Sequence, residues 1–591
     1  MKIGIEIHQR LEGSKLFCEC PCAPDEEEKP AQHITRRLHP VMSELGEVDE
    51  ASQAEFAKDR VFEYDVFSSS NCLVETDEEP PRTLNMDALR TVLSIAMQLN
   101  AVPVGEVHVM RKMVIDGSNT SGFQRTAIVA LGGRIDTSRG PVEIPLIALE
   151  EESAGIIAGG EGRASYRLDR LGIPLIEIST SPDIKDGAHL SEVAGKIGLI
   201  LRASGKVARG LGTIRQDVNI STEGGARVEI KGAQDLKMLP LLVENEVKRQ
   251  DALVGILTEL RAKQALPVKK HPKDVSALLS GTKAKLILAG LEAGSVVLAQ
   301  KLLFHKGLLG KEIQPGRRYG TELSDYAKRS GVKGLIHSDE DMKKYGISQD
   351  ELSKLEKELE IYAGDAFIMV VAPKEQAQKA MEYAVLRANM DYVPKETRRA
   401  NPDGTSTYMR PLPGRARLYP ETDVPPIPLA RELLSTVDKG ESLEEKKGKL
   451  EKMLNKEMAG RMLKSRNLHL FERLVGRGAD PMLAATTLEE TMVSLRREGV
   501  EFGDPEKTLG ELFEEYQKGA FVKAAIPDML KGMAKGARVD AVLKVFRLQR
   551  ISGNELEALV AENNYDMKAI MQKYRLQVDP AEVSEIIKKK K

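Results

Sequence analysis

The chain has 591 residues, with 87 Lys and Arg against 89 Asp and Glu, 41% hydrophobic residues and four cysteines. That length holds about three to five domains. The balanced charge excludes a disordered polyelectrolyte and a uniformly basic nucleic-acid coat, and the sparse cysteines exclude a disulfide scaffold. No apolar run approaches the ~20 residues of a membrane span, and the start lacks a secretory pattern. A cytoplasmic, multi-domain protein with no membrane segment is expected.

The opening Ile3-Gly4-Ile5-Glu6-Ile7-His8 alternates with period two, so Ile3, Ile5 and Ile7 face one way and Glu6 and His8 the other. Cys18, Cys20 and Cys22 follow in alternation, with Cys72 farther on. The polar loop Gly117-Ser118-Asn119-Thr120-Ser121-Gly122 could cradle an anion. In Leu149-Glu150-Glu151-Glu152, Glu151 shares its phase with Ile147 and Leu149. Glu177 is bracketed by Ile176 and Ile178. Two alternating stretches, 213–221 and 226–231, read as strands joined by a hairpin at Glu223 to Gly225. They suggest an antiparallel sheet with one packed and one ionic face, covered by helices over 189–205 and 236–266.

Leu266 to Pro272 reads as a linker into a different block, about 273–392, with a strand over 366–372 near its end. Pro- and Arg-rich sequence returns from Val393 to Pro428, with a turn at Asn401 to Gly404. Beyond Leu429 almost everything reads as amphipathic helix, for example 443–474. Within 523–550 seven Lys or Arg face two acids, and the chain ends in Lys588 to Lys591. A positively charged tail therefore sits on a neutral protein.

Glu6, His8, Glu151 and Glu177 are the lead chemical candidates. Carboxylates set among apolar residues are costly unless paired or metal-bound; oxygen ligands favour Mg2+ or Mn2+, and the single imidazole, less usual for Mg2+, leaves the metal open. Salt-bridged strand residues are the competing reading. A second group is Arg215, Asp217, Asn219, Glu229 and Lys231, in which Asp and Asn oxygens could hold a metal while Arg and Lys clamp phosphate. Its alternative is a solvated ionic face. Four thiolates would suit zinc, although Cys-x-Cys-x-Cys is not the usual Cys-x2-Cys spacing. There is no G-x4-G-K-[ST] loop and no G-x-S-x-G elbow.

Several ordered motifs resemble the GatB/GatE family. They are Ile5-Glu6-Ile7-His8, Leu16-Phe17-Cys18-x-Cys20, Leu149 to Gly155, Asp169-Arg170-x-Gly172-x-Pro174 to Ile178, Arg215-x-Asp217-x-Asn219-Ile220-Ser221 and Glu396-Thr397-Arg398-Arg399. The block from 273 to 392 resembles the insertion of bacterial-type aspartyl-tRNA synthetases around Ser324 to Lys328 and Gly334 to His337. That points to the archaeal GatE form rather than GatB, which lacks the insertion.

The resemblance implies an α+β fold. An antiparallel-sheet catalytic cradle (1–268 and 393–430) would carry an inserted aspartyl-tRNA-synthetase-like domain (269–392). A helical domain (431–520) and a YqeY-like, tRNA-binding tail (521–591) would follow. It implies ATP-dependent phosphorylation of the glutamate on misacylated Glu-tRNA(Gln), then amidation to Gln-tRNA(Gln). Metal ligands would be His8, Glu151 and Glu177, with Glu6 adjacent; Glu151 and Glu177 stand at the expected 26-residue separation. Asp217 and Asn219 would lie near the nucleotide, with Arg215, Glu229 and Lys231. Mg2+ and ATP are the implied cofactors. The family's zinc pattern, Cys-x-Cys with a later Cys-x2-Cys, is met only by Cys18, Cys20 and Cys72, with Cys22 extra. Ammonia would come from glutamine or asparagine through an asparaginase-like partner of the GatD type, in a heterodimer or dimer of heterodimers. A non-catalytic tRNA-binding or assembly subunit, and amidation of Asp-tRNA(Asn), are the alternatives.

Overall fold

The computed structural model describes residues 1–22, 27–42, 46–160, 162–414 and 417–590. They form two compact units, Met1–Gly440 and Glu441–Lys591.

The first unit is built on a mixed sheet with eleven strands among the described residues. Ten of them are β1 (Lys2–Arg10), β2 (Val109–Met113), β3 (Phe123–Thr137), β4 (Gly140–Glu151), β5 (Pro174–Ser179), β6 (Ile214–Ser221), β7 (Val228–Lys231), β8 (Glu396–Ala400), β9 (Ser406–Pro411) and β10 (Leu418–Pro420). Their spatial order is β9-β8-β7-β6-β1-β5-β4-β3-β2-β10, and the short Val102–Pro103 strand pairs with β3. β1 lies near the middle, antiparallel to both β5 and β6. Its alternation forms as expected, with Ile3, Ile5 and Ile7 at most 1% exposed. Burying each isoleucine contributes roughly 1.5–3 kcal/mol.

Helices α1 (Met86–Gln98), α2 (Gly187–Ala203) and α3 (Leu239–Ala262) pack on the sheet. The last two are those expected over 189–205 and 236–266. Asp186 caps α2 by accepting the His189 N–H, and a proline in its first turn starts α3. The hairpin at Glu223 to Gly225 joins β6 to β7. The expected antiparallel order fails at one junction of this sheet, where β7 and β8 run parallel. A parallel pair needs a long crossover, and here the crossover is α3 together with the whole block 269–392.

That block contains the sheet Lys273–Asp274, Val296–Leu302, Ala366–Ala372 and Ile336–His337. One of its two cores is private and holds Leu279, Ile287, Leu355 and Phe367. The other is shared with α3, where Leu253, Ile256 and Leu260 pack with Leu302, Leu323 and Ala380. The boundary expected at 268/269 therefore divides the chain but not the core.

Where block and sheet meet, six charged side chains are at most 1% exposed: Glu246 and Arg249 on α3, Glu322 on α4 (Tyr319–Ala327), Arg387 on α5 (Lys374–Ala388), and Glu396 and Arg398 on β8. Three charges of each sign balance. Glu322 sits 3.0 Å from Arg398, 3.1 Å from Arg249 and 3.6 Å from Arg387. Burial opposes its ionisation, but those arginines, Arg398 foremost, hold its carboxyl well below the usual range.

In the second unit, the helix expected over 443–474 breaks into Leu443–Met453, Lys456–Lys464 and Leu468–Gly476. Leu454 turns extended and Asn455 caps the next helix by accepting the Met458 N–H. One core runs from Leu450 to Leu548, and a separate cluster holds Leu556, Val560, Ile570, Val578 and Val583. The boundary expected at 520/521 falls inside the first core. The basic residues of 523–547 lie on it, and Lys588 to Lys590 end the last helix, while Lys591 is outside the described residues.

Glu322→Ala would leave three buried arginines to two buried acids, Glu246 and Glu396, and would take from Arg387 the carboxylate 3.6 Å away. Breaking such a pair typically costs about 3–5 kcal/mol, so a clear drop in the melting temperature of the full chain is expected. An unchanged melting temperature would reject this role for the cluster.

Candidate active site

The ionic face of the sheet forms the floor of a cavity of about 920 Å3. Register decides which side chains reach it. His8 on β1 stands opposite Glu177 on β5 and Arg215 on β6, and Glu6 stands opposite Asp217. On β4, Glu177 pairs with Ala148. Glu150, two residues beyond, therefore shares the cavity face.

His8, Glu150 and Glu177 each place a donor atom within 4.8 Å of the other two. His8 Nε2 lies 3.7 Å from Glu177, and the Lys112 ammonium donates to both Glu150 oxygens at 2.7 and 2.8 Å. Burial, reinforced by the Glu177 charge, pushes the Glu150 carboxyl up to about 7. Burial works against Glu177 as well, yet hydrogen bonds with Glu150 and His8 hold it well below the usual range. Burial alone would lower His8, and contact with Glu177 raises it instead. Two buried carboxylates this close share a proton. Two carboxylates and one imidazole at this spacing fit a divalent cation.

Glu151 does not join this group. As its phase with Ile147 and Leu149 requires, it points through the opposite face of the sheet. There its Oε1 accepts the Arg125 backbone N–H at 2.8 Å, with the Arg125 guanidinium 3.6 Å away. The 26-residue separation from Glu177 falls on Glu151, whereas the glutamate beside His8 and Glu177 in the cavity is Glu150. Alternation already placed Glu150 on the ionic side, with Ala148 and Glu152.

The second set lines the same cavity. Lys231 bridges Asp217 at 2.5 Å and Glu229 at 2.7 Å, and Asn219 donates to Glu6 at 3.2 Å. Burial opposes the Asp217 charge, but Lys231 holds its carboxyl low. Burial, then the charges of Glu177 and Glu229, raises Glu6. Arg215 is turned partly toward Glu152, which it shares with Arg10 and Arg170 at 3.0, 2.5 and 2.8 Å. The cavity also receives Arg399, Asn401, Thr407, Tyr408 and Arg410 from the β8–β9 hairpin, and Arg417 beyond it. Sequence reading missed these; the Pro- and Arg-rich return segment was the available signal. The 117–122 loop is largely packed in, with Asn119 and Thr120 at most 4% exposed.

A second metal-capable group lies elsewhere in the fold. Cys18, Cys20, Cys72 and Glu75 converge within 4.8 Å. Cys18 Sγ donates to Glu75 at 2.9 Å, and burial pushes the Cys72 thiol up to about 11. Cys22 is not part of it. The chain folds back between Gly13 and Cys22, with Lys15 N–H donating to Cys20 O and Cys22 N–H to Gly13 O, which leaves Cys22 at the base of the loop. Glu75 occupies the place that a second cysteine of Cys-x2-Cys would take. Three thiolates and a carboxylate suit zinc.

No helix among the described residues is long and apolar enough to cross a membrane. The family model of the GatB/GatE catalytic domain matches residues 1–435. The chain is 45% identical over 574 residues to the E subunit of glutamyl-tRNA(Gln) amidotransferase from Pyrococcus furiosus, covering 95% of this chain and 90% of that protein. The protein of the same name from Methanocaldococcus jannaschii is 45% identical over 574 residues, covering 95% and 91%. That of Methanococcus vannielii is 43% identical over 575 residues, covering 95% and 90%. With motif order, cavity face and full-length similarity in agreement, the chain belongs to the GatB/GatE family.

Proposed function

We infer that the chain is the ATP-dependent, tRNA-handling subunit of a glutamyl-tRNA(Gln) amidotransferase. The observation that carries this reading is a carboxylate–imidazole triad set among cationic side chains in one large cavity, in a chain that aligns nearly end to end with relatives of that name.

The γ-carboxylate of tRNA-bound glutamate is a poor acyl donor because its leaving group would be oxide. One of its oxygens attacks the γ-phosphorus of ATP, ADP departs, and the acyl phosphate has phosphate to lose. Ammonia attacks the carbonyl carbon, phosphate leaves, and the nitrogen gives up a proton. Mg2+, when held by His8, Glu150 and Glu177, supplies neutralisation of phosphate charge. Arg215, Lys231, Arg399 and Arg410 give the cavity the cationic groups that orient phosphates. Glu6, whose carboxylate burial makes more basic, is the candidate acceptor, in its ionised form, for the proton shed by nitrogen.

Ammonia is mostly ammonium in neutral water and then not nucleophilic, so it is best delivered by a bound partner. An asparaginase-like protein of the GatD type, in a heterodimer or dimer of heterodimers, is the proposed source. We read 269–392 as an aspartyl-tRNA-synthetase-like insertion and the chain's end as a YqeY-like tail on motif resemblance.

The test is γ-labelled ATP with Glu-tRNA(Gln), with and without ammonium. Label should accumulate on the aminoacyl-tRNA without ammonium and, with it, be released as inorganic phosphate while unlabelled Gln-tRNA(Gln) forms. ATP hydrolysis that never labels the aminoacyl group would reject the reading.

Metal binding should track Glu150. Its carboxyl is raised from 4.5 to about 7, so the metal-free folded chain binds more protons than the unfolded one. Its stability should therefore fall as pH rises through that window. Mn2+ should bind more weakly as pH drops from about 8 to 6, displacing protons from both Glu150 and His8 near pH 6. Calorimetry in buffers of different ionisation enthalpy reads this. Glu150→Gln should reduce the release and weaken binding at least ~10-fold, whereas Glu151→Gln should do neither. Elemental analysis should find one zinc per chain, lost in Cys18→Ser.

The exposed cations Lys535, Arg538, Lys544 and Arg547 are proposed to contact tRNA phosphates. Replacing all four with alanine should weaken Glu-tRNA(Gln) binding and flatten its log-affinity against log-salt slope by up to about four. An unaltered slope would remove this surface from the tRNA interface.

A further inference from the structure

The hairpin of β8 and β9 supplies one wall of the cavity, including Arg399, Asn401, Thr407, Tyr408 and Arg410. It lies at the edge of the sheet: no strand stands outside β9 among the described residues. Its register slips between Thr397 and Arg398, and a bulge re-aims side chains and weakens a ladder locally. Sheet pairing with β7 alone would leave this wall poorly fixed.

α3 holds the hairpin through Arg249 on Glu396 and Asn245, which donates to Gly404 O at 2.9 Å, and further fixing comes from the inserted block. Gln314, 2% exposed, donates to the Ser406 hydroxyl at 3.0 Å and accepts the Ser406 backbone N–H at 2.9 Å. Tyr326 on α4 stacks on Tyr408 with centroids 4.2 Å apart and planes at 26°. Its hydroxyl donates to Glu396 on β8 at 3.1 Å. One side chain of the insertion thus touches both strands of the hairpin. Tyr326 is 3% exposed and is not among the cavity-lining residues, whereas Tyr408 is.

We propose that Tyr326 is a positioning residue for the reaction, through which the insertion sets the Tyr408-bearing wall of the cavity. The inference rests on reading that cavity as the reaction site. A wall displaced by about an ångström can cost ~100-fold in rate without any change in the reacting groups. The insertion is then part of the catalytic frame.

The experiment compares the full chain with Tyr326→Leu, Tyr326→Phe and Leu355→Ala, assaying ATP-dependent amidation of Glu-tRNA(Gln) with ammonium. Leu355 is fully buried in the insertion's private core, so Leu355→Ala reports what destabilising the insertion does by itself. Tyr326→Leu should lower kcat/KM at least about tenfold at a temperature where all variants are folded, and Leu355→Ala should stay within about twofold of wild type. Tyr326→Phe, which keeps the stack and loses the Glu396 hydrogen bond, should recover most of the loss. If Tyr326→Leu is not recovered folded, Tyr326→Met takes its place. Kinetics of the Leu or Met variant that match Leu355→Ala, or a Phe variant that recovers nothing, overturn the proposal. A wild-type chain with no turnover overturns the functional reading, and this inference with it.

Discussion

The ionic face of the central sheet carries more carboxylates than it can ionise together, and most of the site follows from that constraint. Glu6, Glu150, Glu177, Asp217 and Glu229 all line the cavity, against Lys112, Lys231, Arg215 and His8 near the same floor. Where a cation stands close the acid stays charged, as Lys231 does for Asp217. Where two acids meet, one gives way: Glu177 keeps its charge and Glu150 retains a proton up to about 7. A divalent cation removes that conflict, because both carboxylates can then ionise. The opposite face of the same strands is what makes so crowded a surface tolerable. Ile3, Ile5 and Ile7 pack against helices and fix β1 between β5 and β6, so the ionic groups cannot separate to relieve their repulsion.

The other charged cluster solves a different problem. β8 returns parallel to β7 after a crossover long enough to hold a folded block, and the returning strand must be seated at the edge of the sheet. Glu396 and Arg398 point away from the cavity into the balanced set with Arg249, Glu322, Glu246 and Arg387, while Thr397 and Arg399 alternate to the other side. A buried ion cluster is weak as a source of net stability. Its directional contacts, though, tie α3, α4, α5 and β8 together at one point. The shared apolar core beside it supplies the stability, and the ions supply the register.

Sequence periodicity carried the central strand, the β6–β7 hairpin and both covering helices, because each buries apolar residues at its own period, although α3 interrupts them with Asn245, Glu246, Arg249 and Gln250. It also carried the cavity placement of Glu6, His8, Glu177, Asp217, Asn219, Glu229 and Lys231, since strand phase and cavity face coincide there. Three kinds of feature were beyond it. The long helix expected over 443–474 keeps its apolar period across two breaks, and cap chemistry marks one new start, at Asn455, while Asn467 before Leu468 makes no side-chain cap. Cys22 has the same phase as Cys18 and Cys20, but a tight fold-back decides which thiols converge. Contributions from β8 and β9 depend on pairing across more than a hundred and fifty residues, which local pattern does not encode.

The run Glu150-Glu151-Glu152 shows how much depends on one residue of register. Glu150 meets Lys112 and the His8–Glu177 pair, and Glu152 is held by Arg10, Arg170 and Arg215. Glu151 crosses to Arg125 on the reverse face. Three identical side chains thus have three electrostatic environments: guanidinium groups match the Glu152 charge, Glu151 shares Arg125 with Glu421 and burial raises its carboxyl, and Glu150 is contested by Glu177. Sliding β4 by one position against β5 would carry Glu151 to the cavity and take Glu150 and Glu152 from their cations. The pairing of Leu149 with Ile176 and Ile147 with Ile178 opposes that slip, since it would expose these apolar side chains on the ionic face. The apolar residues that precede the glutamates on β4 therefore determine which acid competes for the proton, and so which one is available to a metal.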